Sequence, residues 1–527
     1  MRNSFFFLFL FLVIGCKNEA PKQPKIEIKQ PVNAEKAMVV SAREEASKIG
    51  IEILQKGGNA FDAMIGTQLA LAVVYPYAGS LGSGGFMVYR TQYGEIGTFD
   101  YREKAPLAAT KNMYLDEHGE YLSEKSKVGG LAVGVPGTIA GIFAIHEKLG
   151  SLPLEEIFEP VIRLANNGFP VTELQVKRFQ EFKTIFEEVN SETSLFTKEY
   201  QVGEIGKMFV NFIQAKGGII TMEDLNAYEA VWREPIVFHY KDLRVISMPP
   251  PSSGGVCLAQ ILKMVEPFPI SEYGHNTEKY IQVITEAERR AYADRSYYLG
   301  DPDFVYNPID SLMDDDYLIN RMSSFSFEKA TPSSTIGYGT ISGYESPETT
   351  HFSIVDQFGN AVSNTTTLNS EYGSKLYSKE LGFFMNNEMD DFSAKPGEPN
   401  IYGLVGGKAN AIAPQKRMLS SMTPTIVEKN GELWMVVGTP GGATIITSVA
   451  QTIFNVYVFN MNMQEAVDVP RFHHQWLPDA IRYEKDKFPQ ELINKLAQKG
   501  YPQNLDVDPI IGKVDAILIL PNGTLQG

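Results

Sequence analysis

The sequence predicts an α+β fold in which antiparallel strands lie against helices. Residues 351–355 and 361–368 have strand character and are joined by a short turn with Gly and Asn, which is typical of a hairpin. Residues 425–428 and 433–437 are joined by Lys-Asn-Gly, a second hairpin signal. Because hairpins join antiparallel neighbours, these two pairs favour a layered arrangement over a parallel sheet.

The helices of this fold are predicted from apolar spacing. Residues 41–54, 60–74 and 278–298 carry apolar side chains at helical intervals. Residues 136–230 are predicted to be mainly helical, with breaks at glycine and proline, and residues 445–459 form a helix after a glycine-rich turn. Helices therefore flank both hairpins along the chain.

Composition and charge exclude several classes of protein. The chain has 527 residues, of which 43% are hydrophobic and 21% charged, so it is not a disordered polymer. Its formal net charge is −16. Since nucleic-acid binding needs a basic face, no nucleic-acid partner is expected.

The first residues are expected to direct export. Phe5 to Ile14 is an apolar run too short to span a bilayer, and it fits a secretory signal. Val13-Ile14-Gly15-Cys16 is similar to a bacterial lipobox. We therefore expect a signal peptide at 1–15, a lipidated Cys16 and a flexible tether at 16–36, which would anchor a periplasmic protein to a bacterial membrane. The alternative is a plain signal peptide with an incidental cysteine.

Glycine-rich loops give one candidate for anion binding. The loop Gly79–Gly85 is followed by a predicted strand at 86–89, so it lacks the context of a dinucleotide site. Gly438-Thr439-Pro440-Gly441-Gly442 instead follows a strand and precedes a helix, where free N–H groups can face a phosphate or an oxyanion. His473 and His474 are adjacent and diverge on any regular element, so no metal site is expected.

A set of short segments in fixed order resembles the gamma-glutamyltransferase family. Each segment alone is weak evidence, but together they cover nearly all of the chain from about residue 37 to 520. The segments are Gly57-Gly58-Asn59-Ala60, the loop through Gly85, Tyr101-Arg102-Glu103, Val135-Pro136-Gly137-Thr138, Met248 to Gly255, Ala293-Asp294-Arg295, Thr349-Thr350-His351-Phe352-Ser353, Asn386 to Phe392, Leu419-Ser420-Ser421-Met422, Gly438 to Gly442 and Pro470 to His474.

The resemblance implies a fold and a maturation step. The family has the N-terminal-nucleophile hydrolase fold, an αββα sandwich of two stacked antiparallel sheets between helical layers. Its precursor cuts itself, and here the cut would fall between Glu348 and Thr349. A large subunit, 37–348, and a small subunit, 349–527, would then remain together as a heterodimer.

The resemblance also implies the catalytic residues. Thr349 would be the nucleophile, and the cut would free its own α-amino group as a base whose reference pKa of about 8 suits the task. Thr367 matches the position that hydrogen-bonds the nucleophile hydroxyl. Gly441 and Gly442 match the backbone oxyanion hole.

The remaining implied residues bind the head of the substrate, which bears one carboxylate and one ammonium. Arg102 matches the clamp on the α-carboxylate, a task suited to a planar fork of donors, and two serines match its further donors. Three further residues match the acceptors that bind the α-ammonium in the family, and one loop matches the lid over the pocket. The serines are Ser420 and Ser421, the acceptors are Asn369, Glu388 and Asp391, and the lid is residues 395–407 with Tyr402.

The expected activity is transfer of a γ-glutamyl group. Thr349 would attack the γ-amide of glutathione or another γ-glutamyl compound, and water or the amine of an amino acid or peptide would take the acyl group. One alternative is an acylase of the same fold that acts on glutaryl or cephalosporin amides. Another is a lipoprotein that binds amino acids or peptides without cutting itself.

The sequence differs from those of the family at two places. The helical stretch that relatives carry near residues 196–202 is shortened here, and relatives continue beyond Gly527 with a short tail and a last strand. An uncut precursor is therefore the alternative to the mature heterodimer.

Overall fold

The computed structural model describes residues 29–190, 204–337, 349–395, 397–505 and 510–527. Several predictions fall outside these ranges: the signal peptide, Cys16, most of the tether, the shortened stretch at 196–202, and Glu348. Thr349 is the first described residue after the predicted cut.

Strands make up two large sheets and two small ones. In chain order they are β1 (Asn33–Ala34), β2 (Met38–Ser41), β3 (Gly84–Arg90), β4 (Ile96–Asp100), β5 (Val231–Arg233), β6 (Ile236–Tyr240), β7 (Leu243–Ser247), β8 (Thr350–Val355), β9 (Ala361–Thr367), β10 (Tyr377–Ser378), β11 (Phe383–Phe384), β12 (Thr425–Lys429), β13 (Glu432–Gly438), β14 (Phe472–His473), β15 (Ile481–Tyr483), β16 (Gln503–Asn504), β17 (Asp515–Ile519) and β18 (Leu525–Gln526).

Helices lie mostly in the first two thirds of the chain. They are α1 (Glu44–Gln55), α2 (Ala60–Val74), α3 (Glu124–Lys127), α4 (Thr138–Leu149), α5 (Leu154–Asn167), α6 (Glu173–Asn190), α7 (Glu204–Ala215), α8 (Met222–Asn226), α9 (Gly254–Val265), α10 (Ile270–Tyr273), α11 (Glu278–Tyr298), α12 (Ile309–Leu312), α13 (Asp315–Met322), α14 (Thr444–Tyr457), α15 (Met463–Asp468) and α16 (Gln490–Gln498). Within the described ranges, none of these helices is both long and apolar enough to cross a membrane.

The two large sheets are antiparallel throughout. One has the order β1-β18-β17-β13-β12-β7-β6, and the other has the order β2-β8-β9-β3-β4-β5. Both predicted hairpins are present, as β8–β9 and β12–β13. The last strand, β18, is paired on both sides, with β17 and with β1.

Side chains on alternate positions of each strand pack on opposite faces of its sheet, and one set packs between the two large sheets. Phe86 and Val88 of β3 share one buried cluster with Ile246 of β7 and Val436 of β13, which fills the space between the sheets. Met87, on the opposite face of β3, belongs to the cluster formed with α1, α2 and α5.

The second sheet is covered in the same way. Met435 and Val437 of β13 pack into a cluster with helices α9, α11 and α14. Helices thus cover the outer faces of both sheets, giving four layers, and the predicted αββα sandwich is confirmed.

Candidate active site

The predicted nucleophile lies at the start of the central hairpin. Thr349 immediately precedes β8 and is buried, with 5% of its surface exposed. Its hydroxyl donates to Thr367 Oγ1 at 3.5 Å, at the end of the adjacent strand β9. Thr367 Oγ1 also accepts the backbone N–H of Asn369 at 2.8 Å. The pairing of β8 with β9 therefore holds the two threonines together.

The predicted oxyanion hole lies in the turn between β13 and α14. Gly441 and Gly442 have φ angles of 142° and 55°, a region that favours glycine. A Cβ on Gly442 would lie 2.6 Å from Cδ1 of Tyr402, and one on Gly441 would collide with Thr444 Oγ1. Gly442 lines the same cavity as Thr349, and α14 begins only at Thr444. The turn thus places Gly442 in the cavity of the hydroxyl and leaves no room for a larger residue at either glycine.

Arg102 lies at the centre of a buried charge cluster. Its Nη1 is 2.5 Å from Glu388 Oε2 and 3.7 Å from Glu103 Oε2, and its Nη2 is 2.5 Å from Asp391 Oδ2. The short 3-10 turn Glu388–Asp391 supplies two of the three carboxylates. Asp391 and Arg102 line the cavity of Thr349, whereas Glu388 is fully buried and lies against Arg102 outside the cavity lining.

Burial dominates the titration of this cluster. Burial raises the pKa of Glu103 to about 8 and the pKa of Asp391 to about 6, in both cases against the opposing effect of Arg102. Burial also raises the pKa of Glu388 well above its usual range. Burial alone would lower the pKa of Arg102, but Glu388, Asp391 and Glu103 together raise it. The carboxyls of the site therefore take up protons at higher pH than exposed carboxyls do, while the guanidinium keeps its charge.

The two predicted serines and Asn369 complete the cavity wall. Ser420 Oγ accepts the N–H of Met422 at 3.1 Å, and Ser421 Oγ accepts from Arg295 Nη2 at 3.1 Å. Asn369 has a φ of 73° and donates its amide to the carbonyl of Asn387 at 3.0 Å. All three residues line the cavity with Thr349, Arg102 and Asp391.

The loop 395–407 covers this cavity. The Tyr402 hydroxyl donates to the carbonyl of Asn369, and its ring is 4% exposed. Asn400 Nδ2 donates to Asp391 Oδ1 at 2.9 Å, and the N–H of Ile401 donates to Asp390 Oδ2 at 2.7 Å. The cavity is about 20 Å³, little more than a single water needs. The loop must therefore move before a substrate can enter.

Other residues of the site were not singled out by the sequence. Glu103 and Arg295 were noticed only as parts of motifs, and Leu404, Met422 and Ile445 also line the cavity. Arg295 lies in a helix that the sequence predicts, but helical spacing says nothing about a buried arginine. In the described ranges, no group of three or more His, Cys, Asp or Glu side chains could hold a metal ion. His473 and His474 bond different partners, Thr447 and Asp479 respectively.

The sheets, the helical layers and a threonine opening a central strand define an N-terminal-nucleophile hydrolase. The family model described as Gamma-glutamyltranspeptidase matches residues 46–202 and 191–527. The chain belongs to the gamma-glutamyltranspeptidase family, and the predicted family and enzyme class are confirmed.

Individual relatives agree with this assignment. The glutathione hydrolase proenzyme of Escherichia coli (strain K12) is 43% identical over 547 aligned residues, which cover 96% of this chain and 93% of that protein. The glutathione hydrolase proenzyme of Pseudomonas aeruginosa is 41% identical, covering 85% of this chain and 84% of that one.

Two solved structures are similar in fold. A gamma-glutamyltranspeptidase structure from Helicobacter pylori is 38% identical with a TM-score of 0.55, over 58% of this chain and 96% of that chain. A cephalosporin acylase from Bacillus halodurans has a TM-score of 0.80 over 97% of both chains. At 24% identity, the second likeness bears on the fold alone.

Proposed function

We propose that this protein is a self-processing gamma-glutamyltransferase and glutathione hydrolase whose nucleophile is Thr349. The observation that carries the proposal is the position of the Thr349 hydroxyl. It is buried at the start of a central strand, bonded to Thr367, in a small cavity that Arg102 and Asp391 also line. Membership of a family with glutathione hydrolase proenzymes supports the same activity.

Maturation comes first. The Thr349 hydroxyl adds to the carbonyl of Glu348, the C–N bond breaks, and the acyl group moves from nitrogen to oxygen. Water then hydrolyses the ester, which leaves a carboxylate on Glu348 and a free α-amino group on Thr349. The nucleophile thereby gains a base on its own residue.

Turnover repeats the same attack on a substrate. The α-amine takes the proton from Thr349 Oγ1 as the oxygen adds to the γ-carbonyl, and the N–H groups of Gly441 and Gly442 stabilise the oxyanion. The leaving amine takes that proton as its bond breaks, which leaves a γ-glutamyl ester on Thr349. Water, or the amine of an amino acid or peptide, then removes the acyl group. The reaction needs no metal or organic cofactor.

Recognition of the substrate head rests on paired charges. Arg102, Ser420 and Ser421 would bind the α-carboxylate, and Asn369 and Asp391 would bind the α-ammonium. The predicted acceptor Glu388 lies against Arg102 outside the cavity lining, so it would position Arg102 instead. Asp391 favours a γ-glutamyl over a glutaryl substrate, because a glutaryl group has no ammonium to offset that carboxylate. Arg102 already pairs with Asp391 at 2.5 Å, so a bound zwitterion would exchange this contact for two new ones.

We also propose that the mature protein is a heterodimer, exported and anchored to a bacterial membrane through a lipid on Cys16. One chain would carry the tether 16–36 and the large subunit 37–348, and the other would be the small subunit 349–527. The apolar run before Cys16 and the Val-Ile-Gly-Cys sequence support this proposal. Metabolic labelling with a fatty acid tests it. Wild-type protein should carry the label, a Cys16→Ala variant should not, and an unlabelled wild type would contradict the anchor.

Replacement of the nucleophile tests the activity. Thr349→Ala removes the attacking oxygen, so we expect one uncut chain on a denaturing gel and no release of nitroaniline from γ-glutamyl-p-nitroanilide. Wild-type protein should give two bands and rapid release. Thr425→Ala, at a buried threonine of β12 away from the cavity lining, is the matched control and should still be cut. Turnover by the Thr349→Ala variant would remove Thr349 from the mechanism.

A further inference from the structure

Arg295 is a buried cation that differs from the other deeply buried arginines. It lies in the last turn of α11, is 3% exposed and lines the cavity of Thr349. In the described part of the chain, a carboxylate lies within 4.0 Å of every other arginine that is 3% exposed or less, but none lies that close to Arg295. Those other arginines are Arg102, Arg289, Arg290, Arg417 and Arg471.

The contacts of Arg295 converge on the two serines of the cavity. Its Nε donates to Ser253 Oγ at 2.8 Å, and its Nη2 donates to Ser421 Oγ at 3.1 Å. Ser253 in turn donates to the carbonyl of Ser420, through its hydroxyl at 2.7 Å and through its N–H at 2.8 Å. Arg295 therefore holds the Ser420-Ser421 segment in place, directly at Ser421 and through Ser253 at Ser420.

These bonds fix the direction of donation. A guanidinium has donors only, so Ser421 Oγ must accept from Arg295 and keeps its own proton for another acceptor. Ser420 Oγ accepts from the N–H of Met422, so its own proton is also available for another acceptor. The cavity thus contains two hydroxyl donors, one of them polarised by a buried positive charge.

Charge balance points to an anionic ligand. Arg102 has the carboxyl groups of Glu388 and Asp391 at 2.5 Å, whereas Arg295 meets only hydroxyl groups at hydrogen-bond distance. Burial lowers the pKa of Arg295, and the opposing effects of Cys257, Tyr292 and Asp391 do not restore it. Burying a cation with no carboxylate beside it costs free energy. The carboxylate of a ligand bound beside Ser421 would reduce that cost.

We propose that Arg295 is a positioning and specificity-determining residue, which selects the α-carboxylate of the substrate through Ser421. The inference rests on the proposed γ-glutamyl chemistry. It adds Arg295 as the residue that makes the enzyme require an α-carboxylate on its substrate. Arg102 touches the substrate head directly, whereas Arg295 acts through a hydroxyl.

Three anilides separate this role from a structural one. The γ-glutamyl anilide carries both charges, the glutaryl anilide keeps only the carboxylate, and the 4-aminobutyryl anilide keeps only the ammonium. We expect Arg295→Met to lower kcat/KM for the two substrates with a carboxylate by roughly 10-fold to 100-fold, mainly through KM, as for a lost hydrogen bond to a charged group. The 4-aminobutyryl anilide should change by no more than about twofold.

Arg295→Lys keeps the inference testable if the Met variant fails to fold or to cut itself. Lysine retains the charge but cannot bridge Ser253 and Ser421, so it should raise KM for γ-glutamyl anilide by several fold, and by less than Met does. Arg163→Met, at an exposed arginine on α5, is the control and should match wild type.

Two results would overturn the role of Arg295. One is an equal loss on all three substrates, which would indicate a structural role. The other is an Arg295→Lys enzyme with the wild-type KM and the wild-type preference. If instead the wild-type protein releases no nitroaniline from γ-glutamyl anilide, the proposed function itself fails, so the two failures are distinguishable.

Discussion

Asp391 has the geometry of an ammonium acceptor and a pKa that makes its charge adjustable. It lies between Arg102, which binds it at 2.5 Å, and the lid residue Asn400, at 2.9 Å. Burial and the neighbouring Asp390 raise its pKa to about 6, while Arg102 and Arg295 oppose the rise. Asp391 is therefore mostly ionised at neutral pH and loses its charge in mildly acidic solution.

This titration predicts a pH-dependent preference between substrates. As pH falls through about 6, Asp391 takes up a proton and can no longer pair with the α-ammonium of a γ-glutamyl substrate. A glutaryl substrate has no ammonium and is not affected in this way. The ratio of kcat/KM for γ-glutamyl anilide to that for glutaryl anilide should therefore rise with pH across this range, by roughly 10-fold or more.

The ratio of the two kcat/KM values separates the titration of Asp391 from the titration of the catalytic base, the α-amine of Thr349. Titration of the Thr349 amine affects both substrates equally and cancels. Asp391→Asn should remove the rise centred near pH 6, while any change caused by the buried Glu103, whose pKa is about 8, would remain. A wild-type ratio that is constant between about pH 4.5 and 8 would contradict the role of Asp391.

Most residues of the site could be predicted from motifs, but their interactions could not. Thr349, Thr367, Gly442, Asn369 and Ser421 do line one cavity. No motif indicated that Glu388 would lie against Arg102 outside the cavity lining, or that Arg295 would be buried with no carboxylate within 4.0 Å. Both facts depend on side chains from distant segments, and arginine and glutamate are usually exposed.

At the scale of the structural elements, the lid, residues 395–407, controls the access of substrate to the site. The loop 395–407 is held by a small number of separate polar contacts. Asn400, Ile401 and Tyr402 donate to Asp391, Asp390 and Asn369, Gly407 donates to the carbonyl of Ser296, and Gln475 donates to the carbonyl of Tyr402. Each bond of this kind is worth about 1 kcal/mol, so the loop can open without unfolding the sandwich beneath it.

Removal of one of these bonds should be measurable. Tyr402→Phe deletes the hydroxyl that donates to the Asn369 carbonyl and weakens the closed state. We expect kcat/KM for γ-glutamyl anilide to fall by up to about tenfold, since about 1.4 kcal/mol corresponds to a factor of ten. Tyr306→Phe, at a tyrosine that is 87% exposed, is the matched control. Equal values for Tyr402→Phe and wild type would remove the hydroxyl from lid closure.

Long elements with a clear period were predicted well, and short ones were not. Helix α11 and helix α2 match their predicted bounds, and both hairpins are present. The two-residue strands β10, β11 and β14 have no period to detect, because they exist only through contacts with distant parts of the chain.

At the scale of the whole molecule, residues before and after the predicted cut share both sheets. Strand β8 lies between β2 and β9, and β18 lies between β1 and β17. The antiparallel hairpin order was predictable, but pairing of the first strand with the last is a long-range property that local patterns do not contain.

This interleaving predicts that cutting does not release either fragment. Separation would break the ladders between β2 and β8, β3 and β9, and β7 and β12, and it would expose the cluster between the sheets. The two fragments should elute as one species from a size-exclusion column and separate only in denaturant. Elution of either fragment alone in native buffer would contradict the prediction.

The central claim is that the chain cuts itself before Thr349 and then uses the freed amine as its base. N-terminal sequencing of the smaller fragment tests it most directly. We predict a single sequence that begins Thr-Thr-His-Phe-Ser. An active protein with no such fragment, or with a new terminus at another residue, would contradict the account.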